Sequence, residues 1–365
     1  MPSVQARTAL TVTAAGAIVE NASFSGMDRA ISLEAAGVTI RNSTFSGGQV
    51  AIQDGFAGKD TTLRGNTIDA VGVDGQLIDL DDGGVLEGNA ITAEVVDPST
   101  DNDTPLVVLN EFGGGMRGIS ITGNRIETDG GGLWIRLNGS NVPNVDIEAN
   151  ELYFTNAAGA EGLELDGPNL TGGATSGAVR IRNNVIDGIV DAEIGSSGGV
   201  FGIEVDQADA LSSLAFINNS IRAVDAGATA GDAPVVFDAL ADGTFSGPLG
   251  VDFVNNLLVG PGSSADAVRL PSGTSFDADF NYFSGFNSAY AGGATTTGGN
   301  DQAGPADLVA ACTDGDDTTA CRLEVQPSAG AVDAGTGSGY ADIPGDDIDA
   351  TARPINVTDI GAHEQ

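Results

Sequence analysis

Apolar and polar residues alternate with a period of two in short stretches along most of the chain, while the spacing of an amphipathic helix is hard to find. In ISLEAAGVTIRN, Ile31 and Leu33 share one face with Val38 and Ile40 of the next stretch. Ser32, Glu34, Thr39 and Arg41 then fall on the opposite face. Runs of this length, separated by Gly, Asn, Asp and Ser, predict short strands joined by turns.

The strands belong to a repeat. Ten asparagines each follow an alternating stretch and precede another apolar residue: Asn21, Asn42, Asn66, Asn89, Asn124, Asn150, Asn184, Asn219, Asn256 and Asn281. The copies run from AIVENASF through ISITGNRI to FDADFNYF, and the gaps between successive asparagines lie between 21 and 37 residues. Such a period with one constant corner is the signature of a solenoid. Ten unrelated hairpins would not keep the phrase in order. Asn tolerates the left-handed backbone, so the expectation is that each of the ten turns its own corner. Stacked amides would then hydrogen-bond as a structural ladder.

The first gaps, 21 to 24 residues, leave room for three strands and three turns per coil, the cross-section of a right-handed parallel β-helix. The fold class is therefore all-β, a solenoid of about eleven coils over residues 1–283, with a loop-rich capping segment over 284–365. Phe24 and Phe45 occupy equivalent places and should stack inside. From residue 90 the coils lengthen, by 93–105, 166–177, 191–199 and 225–234, and insertions at a fixed phase should emerge on one flank. A further sheet is expected from Val107–Leu109, Leu133–Leu137, Leu163–Leu165, Ile203–Val205 and Val235–Phe237, with Glu164, Asp166, Glu204, Asp206 and Asp238 as an outward acidic stripe.

Charge narrows the partners. Fifty-one acidic residues, 37 of them Asp, face 14 basic ones, for a net charge of −37. That field repels nucleic acid, anionic lipid and polyuronates, and attracts hard cations. It equally suits a solvated surface in a salty medium. Two acidic loops are candidate Ca²⁺ sites, one with Asp97, Asp101 and Asp103, the other with Asp314, Asp316 and Asp317, though neither completes an EF-hand. Cys312 and Cys321, without histidine nearby, suit a local disulfide better than a zinc shell. No 18-residue apolar run is present and no signal peptide is visible, so we expect no membrane insertion and a mature portion of a longer secreted precursor. The first residues already read as strands, leaving an end open to head-to-tail pairing with copies of the chain.

The C-terminal phrase AVDAGTGSGYADIPGDDIDATARPINVTDIGAHEQ resembles the signature of secreted parallel β-helix proteins of the choice-of-anchor or polymorphic-outer-membrane-type family. The residues that carry the resemblance are Ala331, Asp333 and Gly335, then Asp347, Asp349, Arg353 and Pro354, then Asp359, Ile360, Gly361, Ala362 and Glu364. Ala350 stands where that pattern has Gly, and His363 where it has an aromatic residue. The resemblance implies an extracellular life and says little about activity. Arg353 is read as a partner of Asp349 or Asp359, since a lone buried guanidinium is costly.

Catalysis has thin support. The single His, His363, is far in sequence from the coils, Lys59 is the single Lys, and the adjacent acids Asp81 and Asp82 should point to opposite faces of a strand. The sequons at Asn138, Asn169 and Asn356 are weak signals. The function expected is an extracellular structural or adhesive module, cell-surface displayed or part of a fibre, with surface glycans or copies of itself as partners and Ca²⁺ as the candidate cofactor. The alternative is a carbohydrate-active β-helix, lyase or hydrolase, acting on a neutral or cationic glycan.

Overall fold

The computed structural model describes residues 8–54, 60–81, 84–95, 106–111, 118–130, 132–137, 144–154, 162–166, 178–189, 203–206, 213–223, 235–237, 251–260, 266–269, 275–291 and 295–308. In the C-terminal segment it describes 323, 326, 330–331, 334–336, 340, 343–350, 352–353 and 359–362. The fold is an all-β parallel β-helix: three sheets of eleven strands, each strand pairing in parallel with the equivalent strand one coil away. The first coil comprises Thr8–Val12, Ile18–Glu20 and Ser23–Ser25 on sheets one, two and three, and the eleventh Ser288–Ala291, Thr295–Thr297 and Gln302–Ala303. The repeat thus continues past residue 283, one coil beyond the boundary read from the sequence. That coil escapes a pattern search because its second strand is Thr-Thr-Thr and its corner holds Asp301 instead of Asn.

Alternation sets what is inside. Ile31, Leu33, Val38 and Ile40 are fully buried, and the sequence of inward residues continues through Ile52, Leu80, Ile121, Ile147, Ile181, Phe216 and Phe253. Each such side chain stabilises the fold by about 1.5–3 kcal/mol relative to exposure. Aromatic residues stack at equivalent places, Phe24 on Phe45 and Phe216 on Phe253, with centroids 5.0 Å apart in both pairs. Ser32, expected outside, is buried.

The three corners differ in tolerance. Between sheets two and three the connection is two residues in each of the first ten coils, for example 21–22, 65–66 and 255–256. From sheet three to sheet one it grows from three residues (26–28) to thirteen (190–202). From sheet one to sheet two it reaches eleven (167–177) and thirteen (238–250). The insertions therefore leave from both corners that border sheet one, and not from a single flank.

The C-terminal segment folds back along the side of the rod. Ala331 and Ile360 cluster with Leu257 and Tyr282, while Leu323 and Ala362 cluster with Tyr153 and Val185. Tyr340 and Ile343 pack on Ala215, Ile217 and Val254. It acts as a lateral strap over sheets two and three, where the sequence suggested a cap.

Candidate functional site

The invariant corner is built from two columns. In the inner one, Asn66, Asn89, Asn124, Asn150, Asn184, Asn219, Asn256 and Asn281 are buried. The backbone N and Nδ2 of Asn66 both donate to Oδ1 of Asn89, at 3.0 and 2.9 Å, while its Nδ2 also donates to the carbonyl of Ile40 at 3.0 Å. The same bonds repeat rung by rung to Asn281. Every amide is thereby satisfied in an interior where an unmade bond costs about 1–3 kcal/mol.

The ends of the column are chemically distinct. Asn281 donates from N and Nδ2 to Oδ1 of Asp301, whose Oδ2 accepts from the Tyr290 hydroxyl at 2.7 Å. A carboxylate accepts and does not donate, so Asp301 ends the relay. At the other end Ser43 donates its backbone N to Asn66 Oδ1, and its hydroxyl accepts from Ala22 N. Burial and the neighbouring Asp301 push the Tyr290 hydroxyl well above its ordinary pKa.

Asn21 and Asn42 do not stand in this column. They are exposed, with φ of 53° and 50°, one position before Ala22 and Ser43. Their equivalents in later coils are Gly65, Gly88, Gly123, Ala149, Asn183, Asn218, Asn255 and Phe280, all with positive φ. The left-handed turn expected of the ladder asparagines thus belongs to the preceding residue, while the ladder residue supplies hydrogen bonds. The signal was in the sequence: Asn21 and Asn42 follow a charged strand residue directly, whereas Asn66, Asn89 and Asn124 follow Gly.

Sheet one is the face bordered by the variable corners. Its parallel register places Asp79, Val108, Trp134, Glu164, Glu204, Val236 and Arg269 on successive rungs of one column. Asp81, Asn110, Arg136, Asp166 and Asp206 form the next. These positions alternate with buried Leu109, Ile135, Leu163 and Leu165. The acidic register is interrupted by Trp134 and Arg136 on one side and by Val236 and Arg269 on the other. Rungs are about 4.8 Å apart.

The described residues form ion pairs on sheets two and three. Arg41 pairs with Glu20 and Arg64 with Glu87 near the surface, while Arg182 reaches Glu148 at 2.9 Å and Arg125 reaches Glu151 at 2.7 Å. Asp187 is buried, with Oδ1 2.5 Å from Arg222 Nε. Burial raises its pKa, and Arg222 opposes that rise.

Several sequence candidates lie outside the described residues: Asp97, Asp101, Asp103, Asp314, Asp316, Asp317, Cys312, Cys321, His363, Lys59, Asp82 and Asp238. Among the described residues, no group of three or more His, Cys, Asp or Glu could hold a metal ion. No described helix is long and apolar enough to cross a membrane. Arg353 is buried and donates to the carbonyls of Gly361 (2.9 Å) and Ala362 (3.0 Å) and to Oδ1 of Asn183 (3.3 Å). Ala350, where the resembled pattern has Gly, takes φ of 61°, the region that favours glycine. No family model and no curated protein matches the chain.

Proposed function

We propose that the chain is an extracellular, structural and adhesive β-helix module that holds a neutral or cationic glycan along the outer face of sheet one. The observation that carries this reading is the distribution of insertions: both corners bordering sheet one vary in length, while the third keeps two residues through ten coils. Loops raised on a rigid scaffold are where binding residues concentrate. The register adds one aromatic position, Trp134, flanked by the buried Val108 on one rung and by Glu164 on the next. Arg136 follows in the neighbouring column, so an aromatic and polar positions for a sugar ring and its hydroxyls lie together. The net charge of −37 disfavours anionic glycans.

The resemblance of the C-terminal phrase to choice-of-anchor or polymorphic-outer-membrane-type proteins supports a cell-surface setting. Ca²⁺ in the two acidic loops, the Cys312–Cys321 disulfide and head-to-tail copies in a fibre belong to the same proposal. Binding to an immobilised panel of neutral, aminated and uronate glycans tests the reading. Retention on neutral or aminated glycans, weakened at least tenfold by Trp134→Ala, is expected. Equal retention by wild type and Trp134→Ala, or preference for uronates, would sink it.

A carbohydrate-active enzyme is the second reading, favoured by one observation. Glu164 pairs in register with Glu204, and Asp166 with Asp206. A rung spacing of about 4.8 Å is close to the roughly 5 Å separation used by retaining glycosidases. Release of reducing ends from a bound glycan, abolished by Glu164→Gln or Glu204→Gln, would favour this reading over adhesion.

A further inference from the structure

The corner column changes chemistry where the strap crosses it. The left-handed positions are the exposed Asn21 and Asn42 in the first two coils, Gly65, Gly88 and Gly123 in the next three and Ala149 in the sixth. In coils seven to nine they are Asn183, Asn218 and Asn255, which are buried. The outer two of these hold the strap directly. Asn183 donates from Nδ2 to the carbonyl of Asp346 at 2.7 Å and accepts from Arg353. Asn255 donates from Nδ2 to the carbonyl of Thr336 at 2.7 Å and accepts from the Thr336 backbone N at 2.9 Å. Asn218 lies between them, fully buried, and neither its Oδ1 nor its Nδ2 has a hydrogen-bond partner among the described residues.

Leaving both ends of a buried amide unpaired is costly, because each group gives up its bonds to water on folding and gains none in return. Glycine would remove that cost and suits the φ of 56° at this corner. A partner for Asn218 must donate to Oδ1 and accept from Nδ2. A cation satisfies the first requirement and leaves the second, while an anion does the reverse. A water molecule meets both, and typically adds a third bond to a neighbouring polar group. Strap backbone runs past both neighbouring rungs, at Thr336 and at Asp346, and can supply that third group.

We propose that the amide of Asn218 binds one buried water molecule, which joins the β-helix to the strap midway between the two direct Asn contacts. The site is independent of the glycan reading. A crystal structure of the full chain at high resolution tests it first. An isolated density peak about 2.7–3.2 Å from both Oδ1 and Nδ2 is expected. A strap atom bonded directly to the amide would overturn the proposal.

Protein–water cross-relaxation on the ¹⁵N-labelled chain provides a second reading in solution. The side-chain amide protons of Asn218, assigned in the wild type, should show a direct cross-peak to long-lived water, and those of Asn183 and Asn255 none. Cross-peaks from Asn218 to strap protons without one to water would refute the site, as would water cross-peaks of equal strength on all three.

Discussion

The outer face of sheet three differs between the two ends of the rod. In coils two to four, one register column presents Thr44, Thr67 and Ala90, all exposed. Along the same column in coils seven to ten stand Val185, Ser220, Leu257 and Tyr282, all buried. The backbone geometry is common to both regions, so side-chain chemistry alone distinguishes them. In coils two to four these small outward residues meet solvent. In coils seven to ten the outward residues are mostly larger and apolar, and the strap covers them and adds hydrogen bonds at Asn183, Ser220 and Asn255. A solenoid strand can thus acquire a second buried face without altering its coil, and its sequence then loses the in–out alternation.

The largest test of this contrast places one charge at equivalent positions. Leu257→Asp should destabilise by about 3–5 kcal/mol, because an unpaired carboxylate would be buried under Ala331 and Ile360. Ala90→Asp, in the same column, should change stability by no more than about 0.5 kcal/mol. Denaturant midpoints decide the matter, and equal losses would mean that the strap is not a tight cover.

Next in size is the ladder, which both regions share. Asn124→Leu removes the amide's bonds to Asn150 Oδ1, to the carbonyl of Leu86 and from Asn89. A loss of about 1–3 kcal/mol is expected. Asn42→Gly, at the left-handed corner of an uncovered coil, should stay within a few tenths of a kcal/mol. If Asn42→Gly cost as much as Asn124→Leu, the two columns would not have separate roles.

Alkaline titration gives a smaller, pH-dependent difference. The hydroxyls of Tyr290 in the rod and Tyr340 in the strap are both raised, chiefly by burial. In the unfolded chain each ionises near pH 10, while the folded chain retains the proton. Their contribution is therefore complete below about pH 10 and is lost as pH rises, by up to about 1.4 kcal/mol per pH unit for Tyr290 and by clearly less for the partly exposed, solvent-screened Tyr340. Tyr290→Phe should flatten the global curve, and Tyr340→Phe should flatten only the loss of amide protection in the strap. An unchanged alkaline slope in both variants would contradict the shifts.

The smallest effect is a gain. Ala350→Gly relieves a left-handed backbone at φ of 61° and should stabilise the strap by about 1 kcal/mol. Amide exchange should slow in the strap while the uncovered coils stay unchanged. Ala149→Gly, at φ of 55° in the rod, should tighten the coil instead.

Sequence alone determined the solenoid, its three-strand coil and most of the buried ladder, because these depend on interactions that recur with the period of the chain. Ile31, Leu33, Val38 and Ile40 are inside because alternation leaves them no other place. Tertiary structure decided what periodicity does not encode. The one-residue offset of Asn21 and Asn42, only hinted at by the charged residues before them, is fixed by Ser43 occupying the rung below Asn66. The eleventh coil is defined by strand pairing, since Thr295–Thr297 carries no apolar alternation. The strap depends on Ala331 and Ile360 meeting Leu257, contacts between segments far apart in the chain and outside the repeat. Local pattern reports what each strand does with its own two faces. Which distant segment covers the outer face is settled by three-dimensional packing alone.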